Sequence, residues 1–336
     1  MKKIGVLGAG TWGIALARML ARSQYEVTVW SALPQEVEDY SKNRVHPNLP
    51  GMKIPQEICF TGDLCAACTD KDILLFAVPS PFVRQTAKNA APFIPDGQII
   101  VDVAKGIEAD TLMTMSEVIE DELQKSGNHS NVKLVALSGP THAEEVAKDL
   151  PTTIVSACKD QKIAELVQDV FMNTCMRVYV NDDIRGVELC GAMKNIIALA
   201  SGISRGLGYG DNTRAALITR GLAEITRLGL AMGCKPETFS GLAGVGDLIV
   251  TATSIHSRNN RAGELIGAGA TPEEAIRKIG MVVEGIHALP AAIRLAKQYE
   301  VEMPLTFAAD AIISGKLTPA KAVYKLMERE PRPESD

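Results

Sequence analysis

The segment Ile4-Gly-Val-Leu-Gly8-Ala-Gly10-Thr-Trp-Gly13 decides the fold of this chain. Its first four residues form a short apolar run that is typical of a buried strand. Three glycines then interrupt the run, and apolar residues return with helical spacing between Ile14 and Met19. The β-branched run Glu26–Trp30 follows, so the segment predicts a strand, a tight turn, a helix and a second strand.

The three glycines of this segment have separate physical roles. Gly8 permits the tight turn, Gly10 lets the backbone approach a pyrophosphate, and Gly13 lets the helix pack closely on the strand. The unpaired amides at the N-terminus of the helix then face the anion. A glycine pattern alone is a weak signal, but this one follows a strand and opens a helix. We therefore predict a dinucleotide-binding unit at the start of the chain.

Further apolar runs extend this unit into a sheet. Stretches long enough for helices separate the runs, which is typical of a doubly wound parallel sheet. From residue 182 onward, apolar residues recur with helical spacing and strand-like runs become rare. The sequence predicts an α/β protein with an N-terminal Rossmann-like domain, residues 1–183, and a mainly α-helical C-terminal domain, residues 184–336. The added strand candidates are Asp72–Val78, Gln98–Val103, Lys133–Leu137 and Thr152–Ala157.

Composition excludes several classes of protein. A net charge of −5 over 336 residues argues against a general polyanion binder, so no nucleic-acid partner is expected. The seven cysteines lack the spacing of a disulfide framework, and the pair Cys65 and Cys68 stands alone, so no metal site is predicted. The N-terminus lacks a signal peptide, and no apolar run approaches the ~18–20 residues of a membrane span. We expect a cytoplasmic protein without membrane insertion.

Candidate ligand contacts follow two strands of the predicted sheet, because ligands bind at the carboxyl ends of such strands. Lys105 follows the fourth strand and could hold a phosphate or a carbonyl group, although a solvated loop lysine is the alternative. After the fifth strand, Gly139 exposes backbone to the cleft. Thr141 and Glu144 have the spacing of a capping box, which predicts that Thr141 begins a helix. A cap that binds no ligand is the alternative.

Lys194 is the most informative charged residue of the second half. It is the only charge between Glu188 and Arg205, within an apolar helix candidate. Burial would lower the pKa of this lysine toward neutrality, as a general acid or base requires. The alternative is a lysine that extends its side chain to the surface, but Asn195 beside it and the dinucleotide domain before it favour catalysis.

A second group of candidates lies further along the chain. Asp247 follows a glycine-rich loop, and Ser257 is expected to cap a helix. Arg258 and the Asn259 amide at the start of that helix could seat a monophosphate together with backbone amides. An exposed cap with solvated basic residues is the alternative.

Cofactor preference should be set at the end of the second strand. An acid there binds the adenosine 2′-hydroxyl, whereas an arginine accepts a 2′-phosphate. The strand ends in Trp30-Ser31-Ala32, which contains neither residue type. The hypothesis from this segment is that the protein uses both NADH and NADPH.

Several motifs together resemble the bacterial NAD(P)-dependent glycerol-3-phosphate dehydrogenases, in that family's order from residue 4 to about 305. They are Gly8-Ala-Gly-Thr-Trp-Gly13, Ala104-Lys-Gly106, Ser138-Gly-Pro-Thr141, Gly191-Ala-Met-Lys-Asn195, Gly241-Leu-Ala-Gly-Val-Gly-Asp247, Ser257-Arg-Asn259 and Val283-Glu-Gly285. The resemblance implies that NAD(P)H reduces dihydroxyacetone phosphate to sn-glycerol 3-phosphate for glycerophospholipid synthesis, in a homodimer.

The same resemblance implies roles for individual residues, with Lys194 as the proton-transferring group. Around the substrate it places Lys105, Gly139, Thr141, Lys194, Asp247, Ser257, Arg258 and Asn259. Around the cofactor it places Thr11, Trp12, Lys105, Ala143, Arg258, Val282 and Glu284, beside the glycines Gly8, Gly10 and Gly13 of the first turn. Ser31 and Asn48 depart from the family pattern, and both bear on the adenosine side of the cofactor.

Two other classes of protein remain as alternatives at this point. A β-hydroxyacid dehydrogenase would share the dinucleotide fold and Lys194 but bind a carboxylate instead of a phosphate. A non-catalytic NADP sensor would need only the first half of the chain. Lys194 has no purpose in a sensor, and the Ser257-Arg258-Asn259 cluster suits a phosphate, so the sequence favours the dehydrogenase with a phosphorylated substrate.

Overall fold

The structure is a computed structural model that describes residues 1–331 and 333–334. Within these residues, eight strands form one sheet in the order β3-β2-β1-β4-β5-β6-β7-β8. Helices cover both faces of the sheet, as the apolar character of its strands requires. The strands are β1 (Lys3–Leu7), β2 (Glu26–Trp30), β3 (Cys59–Thr61), β4 (Ile73–Phe76), β5 (Ile99–Asp102), β6 (Lys133–Ser138), β7 (Thr152–Ala157) and β8 (Met176–Asn181).

The six strands predicted from apolar runs are all present, and the Rossmann-like α/β class is confirmed. The sequence missed β3 and β8, which lie at the two edges of the sheet. β3 has only three residues, and β8 alternates buried with exposed side chains, among them Tyr179. Neither strand therefore forms the continuous apolar run by which buried strands are recognised.

The prediction of a parallel sheet is correct as far as β6 and wrong at β7, which runs antiparallel to β6. Between these strands, residues 139–151 contain only one helical turn instead of a crossover helix. A parallel connection would need a longer crossover, usually a helix, to return the chain to the starting edge of the sheet. The short connection seen here instead lets β7 run back alongside β6. β7 and β8 then pair in parallel with each other.

Helices account for most of the remaining structure. In the described part of the chain after β8, the regular secondary structure is helical. Those of the first half are α1 (Thr11–Arg22), α2 (Pro34–Asn43), α3 (Leu64–Cys68), α4 (Val83–Ala90), α5 (Met115–Lys125), α6 (Ala143–Val146) and α7 (Gln161–Met172). Those of the second half are α8 (Ile184–Gly206), α9 (Asp211–Ala231), α10 (Pro236–Ser240), α11 (Asp247–Thr253), α12 (Arg258–Gly267), α13 (Pro272–Ile279), α14 (Glu284–Gln298), α15 (Pro304–Ile313) and α16 (Pro319–Met327).

Helix α8 is the centre of the helical half and carries Lys194. It packs against α9, α11, α12 and α14, so most of its residues are buried. By length and composition it could cross a bilayer, which corrects the expectation that no apolar stretch is long enough. Since 94% of its most apolar window is buried inside the protein, this is the pattern of a core helix.

Candidate active site

A cleft of about 410 Å³ lies where the carboxyl ends of β1, β4, β5 and β6 meet the helical half. Its size is within the usual range for small-molecule sites. The predicted site residues that line it are Gly10, Thr11, Trp12, Lys105, Thr141, Ala143, Lys194, Ser257, Arg258, Asn259, Val282 and Glu284. Gly8, Gly13, Gly139 and Asp247 lie behind its wall and support the lining residues.

The glycine turn after β1 has the shape that a pyrophosphate needs. Gly8 has a φ of +123°, and at Gly13 a Cβ would lie 2.1 Å from the Gly8 carbonyl oxygen. Gly10 faces open space, with nothing within 4 Å of the position of a Cβ. The amide of Ile14 is the first to bond within α1, to the carbonyl oxygen of Gly10, so the amides before it point into the cleft. These residues therefore fit a dinucleotide.

Thr141 lines the cleft but does not begin a helix, so the predicted capping box is wrong. Helix α6 starts at Ala143 with His142 at its N-cap, and no side chain caps it. The Thr141 hydroxyl instead donates to the Gly139 carbonyl oxygen over 3.1 Å. Because α6 has a single turn, a capped end would add little, and the hydroxyl closes the tight turn after β6.

Asp247 joins the two halves of the protein beneath the cleft. Its carboxylate accepts a hydrogen bond from Lys105 Nζ at 2.6 Å and another from Lys194 Nζ. Lys105 also donates to the Gly139 carbonyl oxygen at 3.0 Å. The alternative of a solvated Lys105 is therefore wrong, since only 17% of its side chain is exposed. Asp247 itself is fully buried and holds both ammonium groups in place.

Lys194 is buried at the floor of the cleft, so the alternative of a side chain that reaches the surface is wrong. Only 7% of its side chain is exposed, and Nζ also donates to Thr251 Oγ1 at 2.7 Å. Burial lowers the pKa of Lys194 to about 7, although the Asp247 carboxylate opposes this shift. An ammonium group with a pKa near neutrality can both give and take a proton at physiological pH.

Helix α12 presents its N-terminus to the cleft beside this lysine. Ser257 caps the helix as predicted, since its hydroxyl accepts from the Asn260 amide. Arg258 lines the cleft and is anchored through the Val282 carbonyl oxygen at 3.4 Å. The helix end, the guanidinium and the nearby lysines together offer the donors and positive charge that suit a small anion.

The Asn259 side chain is engaged within the protein instead of standing free for a phosphate. Its Nδ2 donates to Asn195 Oδ1 at 2.9 Å, and its Oδ1 accepts from the Gly285 amide at 2.8 Å. Asn259 thereby links α12 to α8 and α14. One hydrogen of the amide group remains available to a ligand, because a primary amide carries two.

Models of one family match both halves of the chain. The N-terminus of NAD-dependent glycerol-3-phosphate dehydrogenase matches residues 3–164, and the C-terminus of the same family matches residues 183–324. The chain belongs to this family. It is therefore an oxidoreductase that uses NAD(H) or NADP(H).

Individual members of the family are similar to this chain over nearly their whole length. Glycerol-3-phosphate dehydrogenase (NAD(P)+) 2 of Lactobacillus delbrueckii subsp. bulgaricus is 68% identical over 334 residues, or 99% of each chain. The Bacillus subtilis glycerol-3-phosphate dehydrogenase (NAD(P)+) is 49% identical over 332 residues, covering 98% of this chain and 95% of its own. The crystal structure of the Coxiella burnetii glycerol-3-phosphate dehydrogenase superposes with a TM-score of 0.92 at 39% identity, covering 98% and 99% of the two chains.

Family membership decides between the classes left open by the sequence. The match extends through the helical half, which contradicts a cofactor sensor that needs the first half alone. The family is that of the glycerol-3-phosphate dehydrogenases, and not that of a β-hydroxyacid dehydrogenase.

Two residues of this dehydrogenase site were missed by the sequence analysis. Thr251 lies one helical turn after Asp247 on α11, so the i,i+4 spacing could have shown that it faces the same lysine. His142 lines the cleft, and its Nε2 is buried without a hydrogen-bond partner among the described residues. Burial and the nearby charge of Lys194 lower the pKa of His142. Its position depends on the turn after β6, which the capping-box prediction had wrong.

Glu284, expected at the cofactor, also closes the cleft from the helical side. Its carboxylate accepts from the Ser80 amide at 3.1 Å and from the Ser80 hydroxyl at 2.5 Å. Ser80 follows β4 in the sheet domain, so this contact is a second tie between the two halves.

Proposed function

We propose that the enzyme reduces dihydroxyacetone phosphate to sn-glycerol 3-phosphate and that Lys194 supplies the proton. The observation that carries the proposal is the buried Lys194 ammonium at the floor of the cleft, held by Asp247 and Thr251. The family is named for the oxidation of glycerol 3-phosphate. That reaction needs a group that exchanges a proton with the substrate oxygen, and the Lys194 ammonium can be that group. The product is a precursor of glycerophospholipids, so we assign the enzyme to their synthesis.

The chemistry divides between the cofactor and the protein. When bound, the nicotinamide supplies the hydride that reaches the ketone carbon of the substrate. Lys194 donates its proton to the oxygen that becomes the alkoxide, and in the reverse direction takes it back. Asp247 and Thr251 orient the Nζ group of Lys194. Lys105, which donates to the other carboxylate oxygen of Asp247, adds a second positive charge to the site.

The substrate phosphate is assigned to the N-terminus of α12. Backbone amides of this end, the Ser257 cap and the Arg258 guanidinium all face the cleft. A helix N-terminus and a guanidinium are both favourable partners for a dianion. Thr141 also lines the cleft, and Gly139 lies behind its wall.

The direct test follows loss of NAD(P)H absorbance with dihydroxyacetone phosphate, dihydroxyacetone or a simple keto acid as the substrate. Turnover should strongly favour the phosphorylated ketone, with only weak activity on dihydroxyacetone. Activity on the keto acid, or on none of the three compounds, would contradict the assignment.

The pH dependence of the two directions should be opposite. Reduction needs protonated Lys194, so its kcat/KM should fall above about pH 7, whereas oxidation of glycerol 3-phosphate needs the neutral amine and should fall below about pH 7. In Asp247→Asn the carboxylate that raises the pKa of Lys194 is gone, so both transitions should move to lower pH. Profiles that are flat from about pH 6 to 9 would rule out this proton donor.

Arg258→Leu should raise the KM for dihydroxyacetone phosphate by about 10- to 100-fold, the usual loss when a hydrogen bond to a charged group is removed. The matched comparison uses unphosphorylated dihydroxyacetone, whose weak kcat/KM should change little. A variant that loses activity equally on both ketones would place Arg258 elsewhere than at the phosphate.

Three further assignments belong to the same proposal. The domain boundary is placed between residues 183 and 184, supported by the end of β8 at Asn181 and the start of α8 at Ile184. The enzyme is assigned to the cytoplasm, supported by its seven free thiols. It is assigned as a homodimer, supported by exposed apolar side chains of the helical half such as Leu230, Tyr324 and Met327.

A further inference from the structure

The end of β2 carries an acid that its local sequence does not reveal. Ser31 follows β2 directly and is buried. Its hydroxyl donates to Glu36 Oε2 over 2.5 Å and accepts from the Leu33 amide at 3.1 Å. Glu36 lies in the first turn of α2, so the chain folds back and brings its carboxylate to the end of the strand.

This position is where a Rossmann-type sheet receives the adenosine ribose of a dinucleotide. β2 pairs with β1, whose glycine turn opens the cofactor cleft, and the Gly8 amide donates to the Trp30 carbonyl oxygen. The carboxylate of Glu36 therefore stands at the place where an acid normally accepts a hydrogen bond from the ribose 2′-hydroxyl. Its second oxygen has no partner within the part of the chain that the structure describes, so it can accept that bond.

Among the residues that the structure describes, the segments that follow β2 and β3 carry no positive charge that could hold a 2′-phosphate in its place. Residues 31–36 and 59–64 include the acids Glu36 and Asp63 and no lysine or arginine. Arg44 is turned inward, donating to the carbonyl oxygens of Pro55 and Ile58 over 3.2 Å and 2.8 Å. Lys42 is six residues beyond Glu36, about 9 Å along the helix axis.

We propose that Glu36, oriented by Ser31, makes this enzyme select NADH over NADPH. The inference rests on the proposed cofactor cleft and adds a preference to the hypothesis that the protein uses both NADH and NADPH. A 2′-phosphate brings up to two negative charges against the Glu36 carboxylate and loses the hydrogen bond that the hydroxyl makes. The Ser31 hydroxyl cannot compensate, because it already donates its only proton to Glu36.

The test measures binding directly, by isothermal titration of the enzyme with NADH and with NADPH in the absence of substrate. The wild-type enzyme should bind NADH about 10- to 100-fold more tightly. Glu36→Gln should bring the two dissociation constants to within a few-fold of each other. Ala32→Arg, which adds a cation at the exposed neighbouring position, should tighten NADPH binding relative to NADH.

Glu38→Gln is the matched control, because it removes the same charge from an exposed position of the same helix. It should leave the preference unchanged. Equal affinities in the wild-type enzyme, or equal effects of the two glutamine substitutions, would overturn the role of Glu36. Failure to bind either nucleotide would instead overturn the proposed cofactor cleft, so the two failures are distinguishable.

Discussion

Replacement of Lys194 by alanine is expected to lower kcat by about 10²- to 10⁴-fold, the usual range for the loss of a general acid or base. The variant loses the proton donor but keeps the glycine turn, Arg258 and the N-terminus of α12. NADH and the substrate should therefore still bind. The measurement compares steady-state kcat with the NADH dissociation constant obtained by titration.

Two further variants separate chemistry from structure in this experiment. Lys194→Met keeps most of the side-chain volume, so a loss of activity equal to that of Lys194→Ala cannot come from a cavity. Lys278→Ala removes an exposed lysine from α13 and should leave kcat unchanged. Near-normal turnover in Lys194→Met would refute its role as the proton donor.

Gly202→Ala is expected to destabilise the protein by about 3 kcal/mol or more, because it adds volume where two helices have no room for it. Gly202 lies where α8 crosses α12, and a Cβ there would lie 2.0 Å from the Asn260 carbonyl oxygen. That backbone cannot move without displacing Asn259 and the Ser257 cap. The melting temperature should fall by about 5–10 °C.

Gly210→Ala is the comparison for this substitution. Gly210 precedes α9, has a φ of −96°, and would place its Cβ in open space. The change should cost no more than about 1 kcal/mol, the range for an N-cap residue. Similar melting temperatures for the two variants would show that α8 and α12 can separate at little cost.

The sheet and the first ligand turn could be predicted from sequence because they depend on local patterns. A buried strand has a continuous apolar run, and the glycine turn between a strand and a helix has a fixed spacing. β7 was correctly predicted as a strand, but its direction was predicted wrongly. The direction of a strand depends on the connection that precedes it and not on the residues of the strand itself. Thr141 shows the same limit, because capping-box spacing forms a cap only where a helix begins.

The contacts that define the site could not be predicted from sequence. Asp247 was expected near the substrate, and the structure shows that it holds two lysines, at sequence distances of 142 and 53 residues. Glu36 was overlooked because the strand end was taken as residues 30–32, while the acid returns to that end from the next helix. Patterns that involve distant residues need the fold before they can be seen.

The carboxylate bridge of Asp247 can form only after the start of the helical half has been synthesised. The sheet ends at Asn181, so the first half can begin to fold while the helices that follow are still being translated. Lys105 has no bond to Asp247 until that residue, 142 positions further along the chain, has been synthesised. A nascent chain can thus hold a formed nucleotide turn long before it has a complete proton donor.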